Sequence, residues 1–252
     1  HFFACVPSVK HNDREGVRCD LGSWLSRGWC RLEMFALLFK RFNEQPVIVV
    51  QGGECEPYMI APVKTLSRPP GKGEFTCCMR EHKMKNPDGS VRGIPCDKLK
   101  IGELVWTMLK SKLSFLLGDN QIEEYRLWLA LVPQFMLGLP DNDTAMMASR
   151  SSTRDGEEDV VKDFLATYHF KTPKDEEGRS GSGLTPLLHA VMIGHVEVAA
   201  GLIAQGADVH CKTRNFEMTT GSDAGYTALH AALALCPTRQ TEMVTLLLWA
   251  GA

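Results

Sequence analysis

"GLTPLLHAVMIGHVEVAAGLIAQGADV", residues 183–209, and "GYTALHAALALCPTRQTEMVTLLLWAGA", residues 225–252, are two versions of one pattern. Thr185 aligns with Thr227, Leu187 with Leu229 and Ala190 with Ala232. Further on, Leu202-Ile203 align with Leu247-Leu248, and Gly206-Ala207 with Gly251-Ala252. Self-similarity of this kind marks a chain of stacked units, each burying its apolar face only against its neighbours. The residue types fit a helix pair. A threonine oxygen caps the first helix, and Pro186 suits its first turn because the missing N–H has no partner there. Gly206 and Gly251 permit the left-handed backbone that ends the second helix. The alignment predicts that Leu187, Leu202, Leu229 and Leu247 are buried.

On these residues, positions 183–252 resemble ankyrin repeats, an all-α solenoid in which two copies are recognisable. The resemblance implies that His230, in "TALH", is a hydrogen-bonding structural residue rather than a ligand or catalytic group. The first copy departs from the pattern: Leu188 stands where the histidine belongs, and His189 follows it. The spacing departs as well. Thr185 and Thr227 are 42 residues apart, against a usual period of about 33. The excess falls in "HCKTRNFEMTTGSDAG" (210–225), the finger between the copies. Loops longer than closure requires are often functional or simply disordered, and arginine and aromatic side chains are common interface anchors. Arg214, Asn215, Phe216, Glu217 and Met218 are therefore the candidate binding residues. The resemblance implies a protein partner, engaged through finger tips and inner helices.

Ahead of the repeats lies "DNDTAMMASRSSTRDGEED" (141–159), polar and rich in Ser, Thr and Asp, which reads as a boundary. "VVKDFLATYHF" (160–170) reads as a short amphipathic helix, a candidate second helix of a degenerate earlier repeat. The charge balance also changes here. Residues 1–150 carry 20 Lys and Arg against 17 Asp and Glu; residues 151–252 carry 8 against 13. The expected organisation is an α/β domain over 1–140, a linker over 141–182 and repeats over 183–252.

In the first part, "FFACVPSV" (2–9) and "PVIVVQGG" (46–53) are short apolar runs rich in branched and aromatic residues, as buried strands are. Between them "WLSRGWCRLEMFALLF" (24–39) reads as a helix: Leu32, Phe35, Ala36 and Phe39 recur at helical spacing, and Ser26 or Gly28 could start it. Strand, helix and strand without polar alternation suggest a parallel sheet covered on both faces. "EFTCCM" (74–79) is a possible third strand. "CDKLKIGELVWTMLKSKLSFLL" (96–117) and "NQIEEYRLWLALVPQFMLG" (120–138) are helical, the second kinked or stopped at Pro133.

This order, with Trp29, Cys30 and Glu33 after Ser26, resembles the second half of a Toll/interleukin-receptor (TIR) domain over about 50 residues. The segment is incomplete by that standard, because the family's first strand and helices would precede His1, and the loop 10–23 is longer than usual. In the NAD-cleaving members of that family the glutamate matching Glu33 is catalytic; many other members are adaptors without catalysis. A carboxylate there would stabilise the positive charge that develops on the ribose as nicotinamide leaves. On this reading Glu33 is partly buried beside Trp29. The competing one has Trp29 anchored in the core and Glu33 paired or solvated.

Other constellations carry less. Cys77, Cys78, His82 and Cys96 form the pattern C-C-x3-H-x13-C, without paired C-x2-C knuckles. Adjacent cysteines in a strand point to opposite faces, so buried free thiols and no metal are expected. "GKG" in "PPGKGEF" lacks a phosphate-loop pattern and reads as a turn. "KMKNPDGSVRGIPCDKLK" is basic but has no interleaved aromatic residues, so a solvated loop is expected rather than a nucleic-acid site. The net charge of −2 and 23% charged residues give no cause to expect nucleic acid or an anionic membrane. Nine scattered cysteines without a leader suggest reduced thiols in the cytoplasm. No apolar run reaches the roughly 20 residues of a membrane span. The start at His1 and the stop after a repeat signature suggest a piece of a longer polypeptide. The expected function is an interaction scaffold that binds a protein through the repeats, with a front domain that self-associates or signals and no cofactor. The competing class is an NAD-cleaving glycohydrolase using Glu33.

Overall fold

The computed structural model describes residues 2–12, 15–40, 46–53, 55–140, 157–175, 182–214, 225–236 and 238–252. Contacts divide the chain into two units: His1–Lys112 with Met136–Pro140, and Leu113–Phe135 with Asp141–Ala252.

In the first unit Asp20 starts the helices. Its carboxylate accepts from the Ser23 N–H while the Ser23 hydroxyl accepts from the Asp20 N–H, a reciprocal cap on α1 (Leu21–Ser26). After Arg27 the chain re-enters helix as α2 (Gly28–Leu38). These helices lie between β1 (Phe2–Cys5) and β4 (Val47–Val50), which pair in parallel with Phe2 opposite Val47 and Cys5 opposite Val50. The third strand of this sheet is β5 (Tyr58–Ile60), antiparallel to β4, so the sheet is mixed rather than all parallel. Ala4, Val6, Val47 and Val49 pack with Met34 and Leu37 of α2, flanked by Phe2, Leu21, Trp24, Leu25 and Ile60. The sheet was expected to be covered on both faces, yet alternate residues of β1 stay open: Phe3 is 58% exposed and Cys5 is exposed. Two short antiparallel pairs stand apart from this sheet: β2 (Val9–Lys10) with β3 (Arg18–Cys19), and β6 (Lys83–Lys85) with β7 (Val91–Gly93).

"EFTCCM" is not a strand. Thr76–Met79 forms a single helical turn, α3, reversed by two residues with positive φ, Glu81 and His82. Close backbone approach explains two glycines here. A Cβ on Gly28 would lie 2.0 Å from the Phe75 ring, and one on Gly73 would lie 2.5 Å from the Gly28 backbone. Helix α4 (Asp97–Gly118) follows, then α5 (Ile122–Ala130) and α6 (Val132–Phe135), with Pro133 in the first turn of α6.

The second unit is helical. After α7 (Glu157–Thr167) come α8 (Pro186–Ile193) with α9 (Val196–Ala204), and α10 (Ala228–Leu235) with α11 (Gln240–Trp249). Each pair packs internally, α8 against α10 and α9 against α11 and α7, while α5 and α6 pack on α8. Helix α8 is thus flanked on two sides, and Pro186 to Met192 are all buried. Helix α10 has such a neighbour on one side among the described residues. Its buried face is Ala228, Ala231, Ala232 and Leu235, and Leu229 lies about 100° round the helix from Ala228. Leu187, Leu202 and Leu247 are fully buried; Leu229 is only half-buried, contrary to the alignment. None of the described helices is long and apolar enough to cross a membrane.

Candidate functional site: the repeats and their finger

Each inner helix begins at a threonine. Thr185 Oγ1 accepts from the Leu188 N–H at 3.2 Å, and Thr227 Oγ1 from the His230 N–H at 3.3 Å. His230 adds a ring contact, with Nδ1 2.7 Å from Thr227 Oγ1, and is otherwise exposed. Where the first repeat has Leu188 in place of that histidine, Thr185 Oγ1 instead lies 3.4 Å from Cys211 Sγ in the finger. The outer helices end alike: the Ala207 N–H reaches Leu202 O and the Ala252 N–H reaches Leu247 O, both at 3.0 Å, across Gly206 (φ 83°) and Gly251 (φ 88°). Arg239 ties the two repeats together, donating through Nη1 to Glu197 and through Nε and Nη2 to Glu242. Those bonds from Arg239 hold the Glu242 carboxyl below its ordinary range.

The finger leaves α9 through Asp208, whose carboxylate accepts from the His210 N–H at 2.9 Å. It closes on a short antiparallel contact between Lys212 and Thr227. The Thr213 N–H donates to Tyr226 O at 2.9 Å, and the Tyr226 N–H donates to Thr213 Oγ1 at 2.7 Å. Thr213 is buried, and a Cβ on Gly225 would fall 1.9 Å from its carbonyl oxygen. The Arg214 N–H donates to Ser182 O. The stem of the finger is therefore fixed. Of the candidate binding residues, Arg214 stands at that stem, while Asn215, Phe216, Glu217 and Met218 lie outside the described residues.

A second feature escaped sequence reasoning. His189 is fully buried, with ring centroids of Tyr168, Phe164 and Phe170 at 4.2, 5.6 and 5.9 Å. Neither ring nitrogen has a hydrogen-bond partner among the described residues. Arg126 lies 4.2 Å from the centre of the Phe170 ring and donates to the carbonyls of Tyr168 and His169. Burial first, and then the Arg126 charge, bring the His189 pKa down to about 3. This imidazole is a packing group held neutral.

In the first unit, Trp29 and Glu33 stand one turn apart on the open side of α2. Glu33 is exposed rather than partly buried. Trp29 is 38% exposed and is not a core anchor; its indole N–H donates to Asp97 Oδ2 at 3.1 Å. Gly28, Cys30, Leu32, Met34, Phe35, Leu37 and Leu38 carry the buried surface instead. Burial pushes the Cys30 thiol up, against the opposing Arg27 charge. The four residues Cys77, Cys78, His82 and Cys96 do converge. Their ligand atoms all lie within 4.8 Å of one another. Because Cys77 and Cys78 sit on a helical turn, the opposite-faces argument does not apply to them.

A family model of ankyrin repeats, in three copies, matches residues 137–252. The match takes in the helix pairs of the second unit and extends ahead of Gly183 to include α7. No curated protein and no solved structure matches the chain.

Proposed function

We propose that this chain is an interaction scaffold whose ankyrin repeats bind a protein partner through the finger between α9 and α10. The observation that carries this reading is the finger itself. Its stem is closed by Thr213 and Tyr226, so residues 215–224 are not needed to complete the repeat. Replacing 215–224 by a short glycine-serine link, keeping Thr213, Arg214, Gly225 and Tyr226, should leave helix content and the urea midpoint unchanged. Bait chains of both kinds, exposed to extract of the native cell, should differ. The shortened one loses proteins that the intact one retains. Identical captured sets would make the finger a tolerated insertion.

For the front unit we propose a TIR-like association or signalling module, supported by the parallel pairing of β1 with β4 across α2. The NAD-cleaving alternative rests on Glu33, an exposed carboxylate on an open helix face. A lone carboxylate does not position a ribose. Incubated with NAD, the chain should release no nicotinamide above background. Release that disappears in Glu33→Ala would make it an enzyme.

A further inference from the structure

We propose that Cys77, Cys78, His82 and Cys96 bind one zinc ion in a closed structural site that clamps the β6–β7 hairpin to the turn α3 and the start of α4. The distances carry the argument. Cys78 Sγ lies 3.6 Å from His82 Nε2, 3.8 Å from Cys96 Sγ and 3.9 Å from Cys77 Sγ. Zinc bonds of about 2.3 Å to sulfur and 2.0–2.1 Å to nitrogen, set at tetrahedral angles, put ligand atoms about 3.8 Å apart for sulfur pairs and about 3.6 Å for sulfur and nitrogen. The three edges at Cys78 match those values, and the other three are no longer than 4.8 Å. The sulfurs are too far apart for a disulfide, whose bond is about 2.05 Å.

The surroundings point the same way. The Asp97 N–H donates to Cys77 Sγ at 3.3 Å, as an outer-shell donor to a metal-bound thiolate does. The hairpin has no core of its own: every residue of β6 and β7 is exposed. A lone two-stranded hairpin is marginal in water. Its two ends meet where the Ile94 N–H donates to His82 O at 2.8 Å, and the four side chains gather at that base. Three soft thiolates and an imidazole select zinc over oxygen-seeking cations. Four protein ligands leave no open position, so the site is structural rather than catalytic. Each thiol that binds gives up its proton to solvent, so binding strengthens with rising pH.

The test uses the full chain, reduced and freed of metal by a chelator, titrated with cobalt(II) alone. We expect thiolate-to-cobalt charge transfer and the strong visible bands of tetrahedral cobalt, saturating at about one equivalent and displaced by zinc. Cys96→Ser and His82→Ala, both at non-core positions, should lose the saturating tetrahedral spectrum, whereas Cys55→Ser keeps it. Absent tetrahedral bands in the unaltered chain, or bands that survive Cys96→Ser, would overturn the assignment. Amide hydrogen exchange of the unaltered chain needs no variant. Residues 83–93 should exchange at least tenfold more slowly with zinc than with chelator, and equal rates would overturn the clamp.

Discussion

Leu187→Ala is expected to destabilise the repeats by about 2–5 kcal/mol, the range for removing a fully buried leucine and leaving a cavity. Leu187 has no exposed surface, and every neighbour from Pro186 to Met192 is buried with it. Helices α5, α6, α9 and α10 all pack on this one, so no side of the site is free to collapse. The aligned Leu229 is half-buried and makes the comparison informative. Leu229→Ala removes the same atoms but leaves a gap partly open to water, so it should cost clearly less. Urea unfolding followed by far-ultraviolet circular dichroism measures both. Equal costs would mean that the two repeats are covered alike, against the packing described here.

The second large effect is a pH dependence seated at His189. Its folded-state pKa is about 3, against an ordinary value of 6.5. Above pH 6.5 the imidazole is neutral in both states. Below it the unfolded chain takes up a proton that the folded one refuses, so stability falls as pH falls. The loss approaches about 1.4 kcal/mol per pH unit. Between pH 7 and pH 5 this amounts to about 2 kcal/mol, and down to the folded pKa to about 4 kcal/mol. The carboxylates held by Arg239, Glu197 and Glu242, lose their contribution only at lower pH, but burial also lowers the His195 pKa, so that imidazole adds a loss of the same sign between pH 7 and pH 5. His189→Leu keeps an apolar side chain among Phe164, Tyr168 and Phe170 and should make that part of the profile less steep, leaving the share of His195. An unchanged slope would place the titration elsewhere.

What could be read from the residues, and what could not, follows the range of the forces involved. Thr185, Thr227, Gly206 and Gly251 act on their own helix ends, within a few residues. The repeat pattern was therefore visible in the sequence. The runs "FFAC" and "VIVV" are apolar enough to be strands in most contexts, and "DKLKIGELVWTMLKSKLSFLLG" can bury a stripe only as a helix. The rest depends on distant partners. Strand β5, "YMI", has two exposed residues and owes its pairing to β4. Helix α2 buries more than one stripe, so a wheel drawn from Leu32 and Phe35 misplaced Glu33. His189 looked like a displaced motif histidine because Phe164, Tyr168 and Phe170 come from the preceding segment. The thiols of Cys77 and Cys78 converge because Glu81 and His82, with φ of 51° and 57°, turn the chain back after one helical turn. No local pattern announces two such residues.

Binding of a protein by the repeats through the finger is measurable by titration calorimetry. A partner captured by the intact chain would be titrated into the intact chain and into the chain with residues 215–224 replaced, the two having equal urea midpoints. We expect the shortened chain to bind at least about tenfold more weakly, a loss of 1.4 kcal/mol or more. Equal affinities in two equally stable chains would contradict it.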